Sequence, residues 1–77
     1  MQTFKLKAKK DITGLPDNKK IEKGESFTIK NIPDNSTTPF ATEEAKDETL
    51  NQFKSFGYDF TDKKELFGSG HFSWEKI

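Results

Sequence analysis

Thr3-Phe4-Lys5-Leu6-Lys7-Ala8-Lys9-Lys10-Asp11-Ile12 alternates apolar residues with lysine, and its reading decides the fold. A period of two places Phe4, Leu6 and Ala8 on one side of an extended chain and Lys5, Lys7 and Lys9 on the other. It predicts a half-buried strand over Gln2–Ala8, with one apolar face and one row of ammonium groups. A single amphipathic strand cannot bury its own apolar face, so the remaining residues must provide pairing strands and a cover.

Downstream, Gly14, Pro16, Asp17 and Asn18 are turn formers, and a second strand is expected over Lys20–Ile32, with Phe27 and Ile29 on one face. Lys23-Gly24 marks a bend or bulge inside it, because glycine there packs nothing. Pro33 ends that strand and opens a polar loop through Pro39. Pro-Asp-Asn occurs at 16–18 and again at 33–35, which is repeated turn chemistry rather than an internal repeat. Asn35-Ser36-Thr37 fits a glycosylation sequon but reads as loop in a chain with no secretory pattern.

Thr42 is a good N-cap, Glu43 and Glu44 suit the positive end of a helix dipole, and Gly57 is a natural stop. Ala45, Thr49, Phe53 and Phe56 recur near helical spacing with Leu50 beside them, so a helix is predicted at about 43–56. Thr61 is placed to cap a short helical turn through Leu66. His71–Ile77 reads as the last strand, with Phe72 and Trp74 sharing a face.

The order β-β-α-β and the right-handed crossover rule lead to an α+β domain with a three-stranded sheet of order 2-1-3. One helix covers one face, and Phe4, Leu6 and Ala8 are expected to meet Leu50, Phe53 and Phe56. A closed barrel of SH3 type is the alternative, disfavoured by the well-marked helix. With 77 residues the chain is one domain, 1–77, and 17 of them are Leu, Ile or Phe, just enough for a small core. Eight are Phe, and cysteine is absent, so rings rather than disulfides must carry stability.

The lysine-rich first strand, Lys23-Gly24-Glu25-Ser26-Phe27-Thr28-Ile29, Thr38-Pro39-Phe40-Ala41-Thr42, Phe56-Gly57-Tyr58-Asp59-Phe60 and Phe72-Ser73-Trp74-Glu75-Lys76-Ile77 together span most of the chain. On these segments it resembles a family of short uncharacterised proteins from Bacteroides and related gut bacteria. It departs from them in placing large aromatics where aliphatic residues are usual, and Lys76 where arginine is common. The resemblance implies a cytoplasmic bacterial protein of β-β-α-β layout and implies no activity.

Composition removes most chemistries. All 13 cations are lysine, and without guanidinium groups the chain lacks the planar forks that read phosphate and guanine bidentately. The net charge is zero, yet residues 1–30 carry +4 and residues 31–77 carry −4. No apolar run reaches the roughly 18 residues of a membrane span, and a cytoplasmic location is expected. His71 is the only histidine and cysteine is absent, so the ligand inventory of a zinc site is missing and no Ser-His-acid order can be argued; His71 reads as a strand-end residue, with a lone general base as the alternative. Gly68-Ser69-Gly70 joins a helical turn to a strand, the wrong context for a phosphate cradle. Glu43, Glu44, Asp47 and Glu48 fall on the polar side of the helix near its N-terminus, and Asp59 and Asp62 sit at turns. No catalytic, metal or cofactor residue is assigned, and an enzyme is not expected.

Surfaces remain. With all aromatic faces toward the helix, the open sheet face shows Lys5, Lys7 and Lys9 flanked by Thr28, Lys30, Ser73 and Glu75. With the last strand turned over, Phe72 and Trp74 would stand beside the lysines, an arrangement suited to stacking single-stranded nucleic acid. The expected function is a non-enzymatic binding or accessory module. It acts through protein contacts or self-association at edge strands; Tyr58, Phe60 and Phe67 around the helix exit read as a minor core, with an apolar patch as the alternative. The alternative is a weak nucleic-acid binder using the lysine face. The candidate contact residues are Lys5, Lys7, Lys9, Lys30, Phe72 and Trp74.

Overall fold

The computed structural model describes residues 1–68 and 70–77. Three strands, β1 (Gln2–Ala8), β2 (Ser26–Ile32) and β3 (Phe72–Lys76), form one sheet in the order β2-β1-β3, and one helix, α1 (Glu43–Ser55), packs on it. Both outer strands run antiparallel to β1, so the alternating stretch is the centre of the sheet. The α+β layout and strand order are those the sequence predicts.

β1 alternates as expected: Gln2, Phe4, Leu6 and Ala8 are buried while Lys5, Lys7 and Lys9 are exposed. β2 begins at Ser26 rather than Lys20. Gly24, at φ 95°, turns the chain there, its N–H donating to Ala8 O while Ala8 N–H donates to Glu25 O. Upstream, only an isolated bridge between Ile12 and Ile21 continues the pairing. A second irregularity lies at the other end, where Phe4 faces Ile29 but Gln2 faces Ile32. The extra β2 residue lets Ile29 and Ile32, three apart, both point into the core, and Asn31 takes the left-handed conformation (φ 62°).

The helix ends follow their side chains. Thr42 Oγ1 accepts from Ala45 N–H at 3.1 Å. At the far end Gly57 N–H donates to Lys54 O and Tyr58 N–H to Phe53 O, with Gly57 at φ 101°, the paired closure of a Schellman motif. Ala45, Thr49 and Phe53, four apart, form the buried stripe. Phe56 does not join it. It is 45 % exposed and stacks on Phe27 with ring centroids 6.0 Å apart, because α1 lies along β2 rather than across the middle of the sheet.

The core is a ring cluster closed by the connections. Phe53 has the rings of Phe27, Phe56, Phe60, Phe67 and Phe72 around it at centroid distances of 4.8–6.0 Å. Ile12, Leu15 and Ile21 from the first connection, and Phe60 and Phe67 from the last, are buried with it. Tyr58 is half-buried against Phe27, so Tyr58, Phe60 and Phe67 join the core, as the sequence reading favours, and do not make an exposed patch. The polar loop after β2 is tied down from two sides. Gln2 Nε2 donates to Pro33 O at 2.7 Å and Ser36 O at 2.6 Å, and Thr49 Oγ1 donates to Pro39 O at 3.1 Å. Buried polar groups here are bonded, as burial requires.

Candidate binding surfaces: the open sheet face and the outer edges

The face opposite α1 is assembled by register alone. Lys5 stands between Thr28 of β2 and Glu75 of β3, and Lys7 between Ser26 and Ser73. Lys9 N–H donates to His71 O at 2.8 Å, which extends the same register by one step and sets His71 beside Lys9. Lys30 follows buried Ile29 and so stands on this face too. The result is a lysine row flanked by hydroxyls, with one carboxylate and one imidazole on the β3 side. Lys5, Lys7, Ser73, Trp74 and Glu75 line a shallow depression along it. The ion pairs Met1–Asp34 (3.2 Å) and Lys20–Glu22 (3.8 Å) lie away from this face.

The two rings do not join the lysines. Trp74 faces Leu6 and Phe72 faces Ala8, so both side chains stand on the helix side. Phe72 has no exposed surface and is packed among Phe53, Phe60 and Phe67, which removes it as a contact residue. Trp74 is half-buried, edge-on to Phe40 at 5.6 Å. The lysine face therefore offers no aromatic stacking platform. Lysine contacts alone would hold a polyanion without sequence preference and only at low salt.

His71 has its pKa lowered below 6.5, first by burial and then by the charge of Lys10. The folded chain thus favours the neutral imidazole. Stability linked to His71 is present above the unfolded value of 6.5 and is lost as pH falls through the lower folded value, since the unfolded chain takes the proton first. In an NMR titration the His71 midpoint is expected below 6.5, moving upward in Lys10→Ala. A midpoint at or above 6.5 would contradict this placement.

The remaining candidates from the sequence resolve into local structure. Asp59 accepts from Thr61 N–H at 2.8 Å, and hydrogen bonding to Thr61 lowers its pKa. Glu48 accepts from Gln52 Nε2 at 3.1 Å. Among the described residues no group of three His, Cys, Asp or Glu is placed to hold a metal ion. The Gly68-Ser69-Gly70 stretch lies partly outside the described residues; Gly68 O accepts from His71 N–H at 3.1 Å and Phe72 N–H at 3.0 Å.

The two outer strands differ in how their free edges are treated. On β2, Lys30 N–H donates to Gln52 Oε1 at 3.0 Å, and Lys30 O accepts from Gln52 Nε2. One amide of α1 thus makes both bonds that a neighbouring strand would make at Lys30, while the outward backbone groups of Ser26 and Thr28 remain open, and Phe56, one turn on, lies over Phe27. On β3, His71 O and Ile77 N–H are bonded to β1. Alternation then turns Ser73 and Glu75 inward and the backbone groups of Phe72, Trp74 and Lys76 outward. Phe72 N–H is taken by Gly68 O, while Phe72 O and the N–H and C=O of Trp74 and Lys76 face outward from the sheet. The sequence contains no signal for the role of Gln52, a polar residue on a helix like several others.

Comparison of the chain with protein-family models, curated proteins and solved structures finds no match. Among the described residues no helix is long and apolar enough to cross a membrane.

Proposed function

We propose that this chain is a non-enzymatic binding module that takes an extended protein segment as a fourth strand on the outer edge of β3. The observation that carries the reading is the asymmetry of the sheet: Gln52 interrupts the β2 edge at Lys30 and leaves only Ser26 and Thr28 open, whereas the β3 edge presents Trp74 and Lys76 with no side chain of the described residues bonded across it. We place it in the cytoplasm, in keeping with a cysteine-free domain and with the Bacteroides proteins that it resembles.

About five backbone bonds, each worth about 1 kcal/mol net, do not by themselves offset the ordering of a flexible segment. A side chain must add to them. The residue opposite Trp74 would project toward the helix side, against the half-exposed indole and Phe40. Its neighbours would project over Ser73 and Glu75. The favoured segment carries a large apolar residue flanked by polar ones.

Peptides selected from a random displayed library are expected to slow hydrogen exchange at the Trp74 and Lys76 amides and to fail against Lys76→Pro. Proline at an outward-facing position removes the docking N–H but no ladder bond. Selected peptides that leave both amides at their free exchange rates would show that the contact lies elsewhere.

A further inference from the structure

We infer that the occupant of the β3 edge is a second copy of this chain, paired antiparallel about a two-fold axis at Trp74; this rests on the strand-addition reading above. β3 runs Phe72–Lys76, and Trp74 is its central residue. When a strand pairs in full with its own copy, the central residue lies opposite itself. It can bond there only if its N–H and C=O point away from its own sheet, and those of Trp74 do. Two bonds then cross the axis between the Trp74 residues. Lys76 N–H of each copy donates to Phe72 O of the other, while Phe72 N–H stays on Gly68 O. That gives four bonds.

Side chains favour the same register. On the helix side the two indoles meet, and Lys76 lies opposite Phe72. On the open face Ser73 lies opposite Glu75. No like charges oppose each other, and the zero net charge of the chain sets up no overall repulsion. The neighbouring register in the same bonding phase, with the axis on Glu75, sets two carboxylates face to face. The one with the axis on Ser73 relies on Phe72 N–H, which is already taken, and keeps only two bonds within β3.

Closure is the third argument. Pairing through β3 makes a six-stranded sheet whose two outer strands are both β2, and Gln52 already engages that edge at Lys30. The association consumes both β3 edges and closes on itself, as an isologous interface should, and leaves at each outer β2 edge only Ser26 and Thr28, beside the Lys30 that Gln52 engages.

Sedimentation of the full chain between about 1 µM and 1 mM, a range that brackets ordinary weak self-association, tests the inference. The mean mass is expected to rise from 8.8 kDa toward twice that value, with slower exchange at the Trp74 and Lys76 amides. Lys76→Pro is expected to hold it at 8.8 kDa with an unchanged circular dichroism spectrum. In the proposed register the two Trp74 Cα atoms lie about 5.5 Å apart, within disulfide reach. Because the chain has no native cysteine, Trp74→Cys is expected to cross-link on mild oxidation while Glu75→Cys is not. A chain monomeric at the highest concentration, a dimer indifferent to Lys76→Pro, or cross-linking through Glu75→Cys alone overturns the proposal. Sedimentation of the unsubstituted chain decides the matter even if Trp74→Cys folds poorly. A monomer whose Trp74 and Lys76 amides are protected by selected peptides loses self-pairing and keeps strand addition; a monomer for which no such peptide exists loses both.

Discussion

Phe53→Ala is expected to lower the melting temperature by roughly 15–30 °C, or to leave no cooperative transition at all. The ring has no exposed surface and five others stand around it, the nearest being Phe27 at 4.8 Å and Phe72 at 5.3 Å. Removing a buried phenylalanine costs about 3–5 kcal/mol through lost transfer energy and the cavity left behind. A domain of this size holds only about 4–12 kcal/mol in total, at the per-residue stability of ordinary proteins. The surrounding rings come from β2, the C-cap of α1, the last connection and β3, so no single element can move in to fill the space. Phe56→Ala is the control. With 45 % of its surface exposed, it should cost no more than about 1.5 kcal/mol. Equal losses in the two variants, read by thermal circular dichroism, would mean that the helix sits differently on the sheet.

That contrast also marks where the sequence stops being informative. Helical spacing puts both Phe53 and Phe56 near one stripe, and nothing local separates them. They are separated by the position of α1 over β2, a tertiary choice that makes the four-residue steps Ala45, Thr49 and Phe53 the buried set. Alternation in β1 is local and strong, so its lysine row and central place were legible. In β3 alternation shows that Phe72 and Trp74 share a side, but not which side. The pairing of Ala8 with Phe72 and Leu6 with Trp74 settles that. β2 starts later than its sequence suggests because Ile21 looks like a strand residue, while the turn at Gly24 leaves it only an isolated bridge. The lysine face of the candidate site could be read from spacing. The contrast between the edges could not, since it depends on Gln52 reaching across 22 residues of chain to Lys30.

Proline substitutions in β3 should differ sharply between adjacent positions. Glu75→Pro is expected to destabilise the domain by roughly 2–4 kcal/mol, and Lys76→Pro by no more than about 1 kcal/mol. Glu75 pairs with Lys5 on the central strand, with its N–H turned into the ladder. Proline there deletes a ladder bond, strands the Lys5 carbonyl and forces the ring toward β1. The N–H of Lys76 points away from the sheet, so the same ring at that position faces outward and costs little beyond its fixed φ. In denaturant titrations Glu75→Pro should shift the midpoint far below that of Lys76→Pro. The reverse order would mean that β3 is turned over, with Glu75 rather than Lys76 on the free edge. Trp74 would then have its backbone committed to β1, and neither strand addition nor self-pairing could use it. The two prolines therefore test, through stability alone, the phase on which both binding proposals depend.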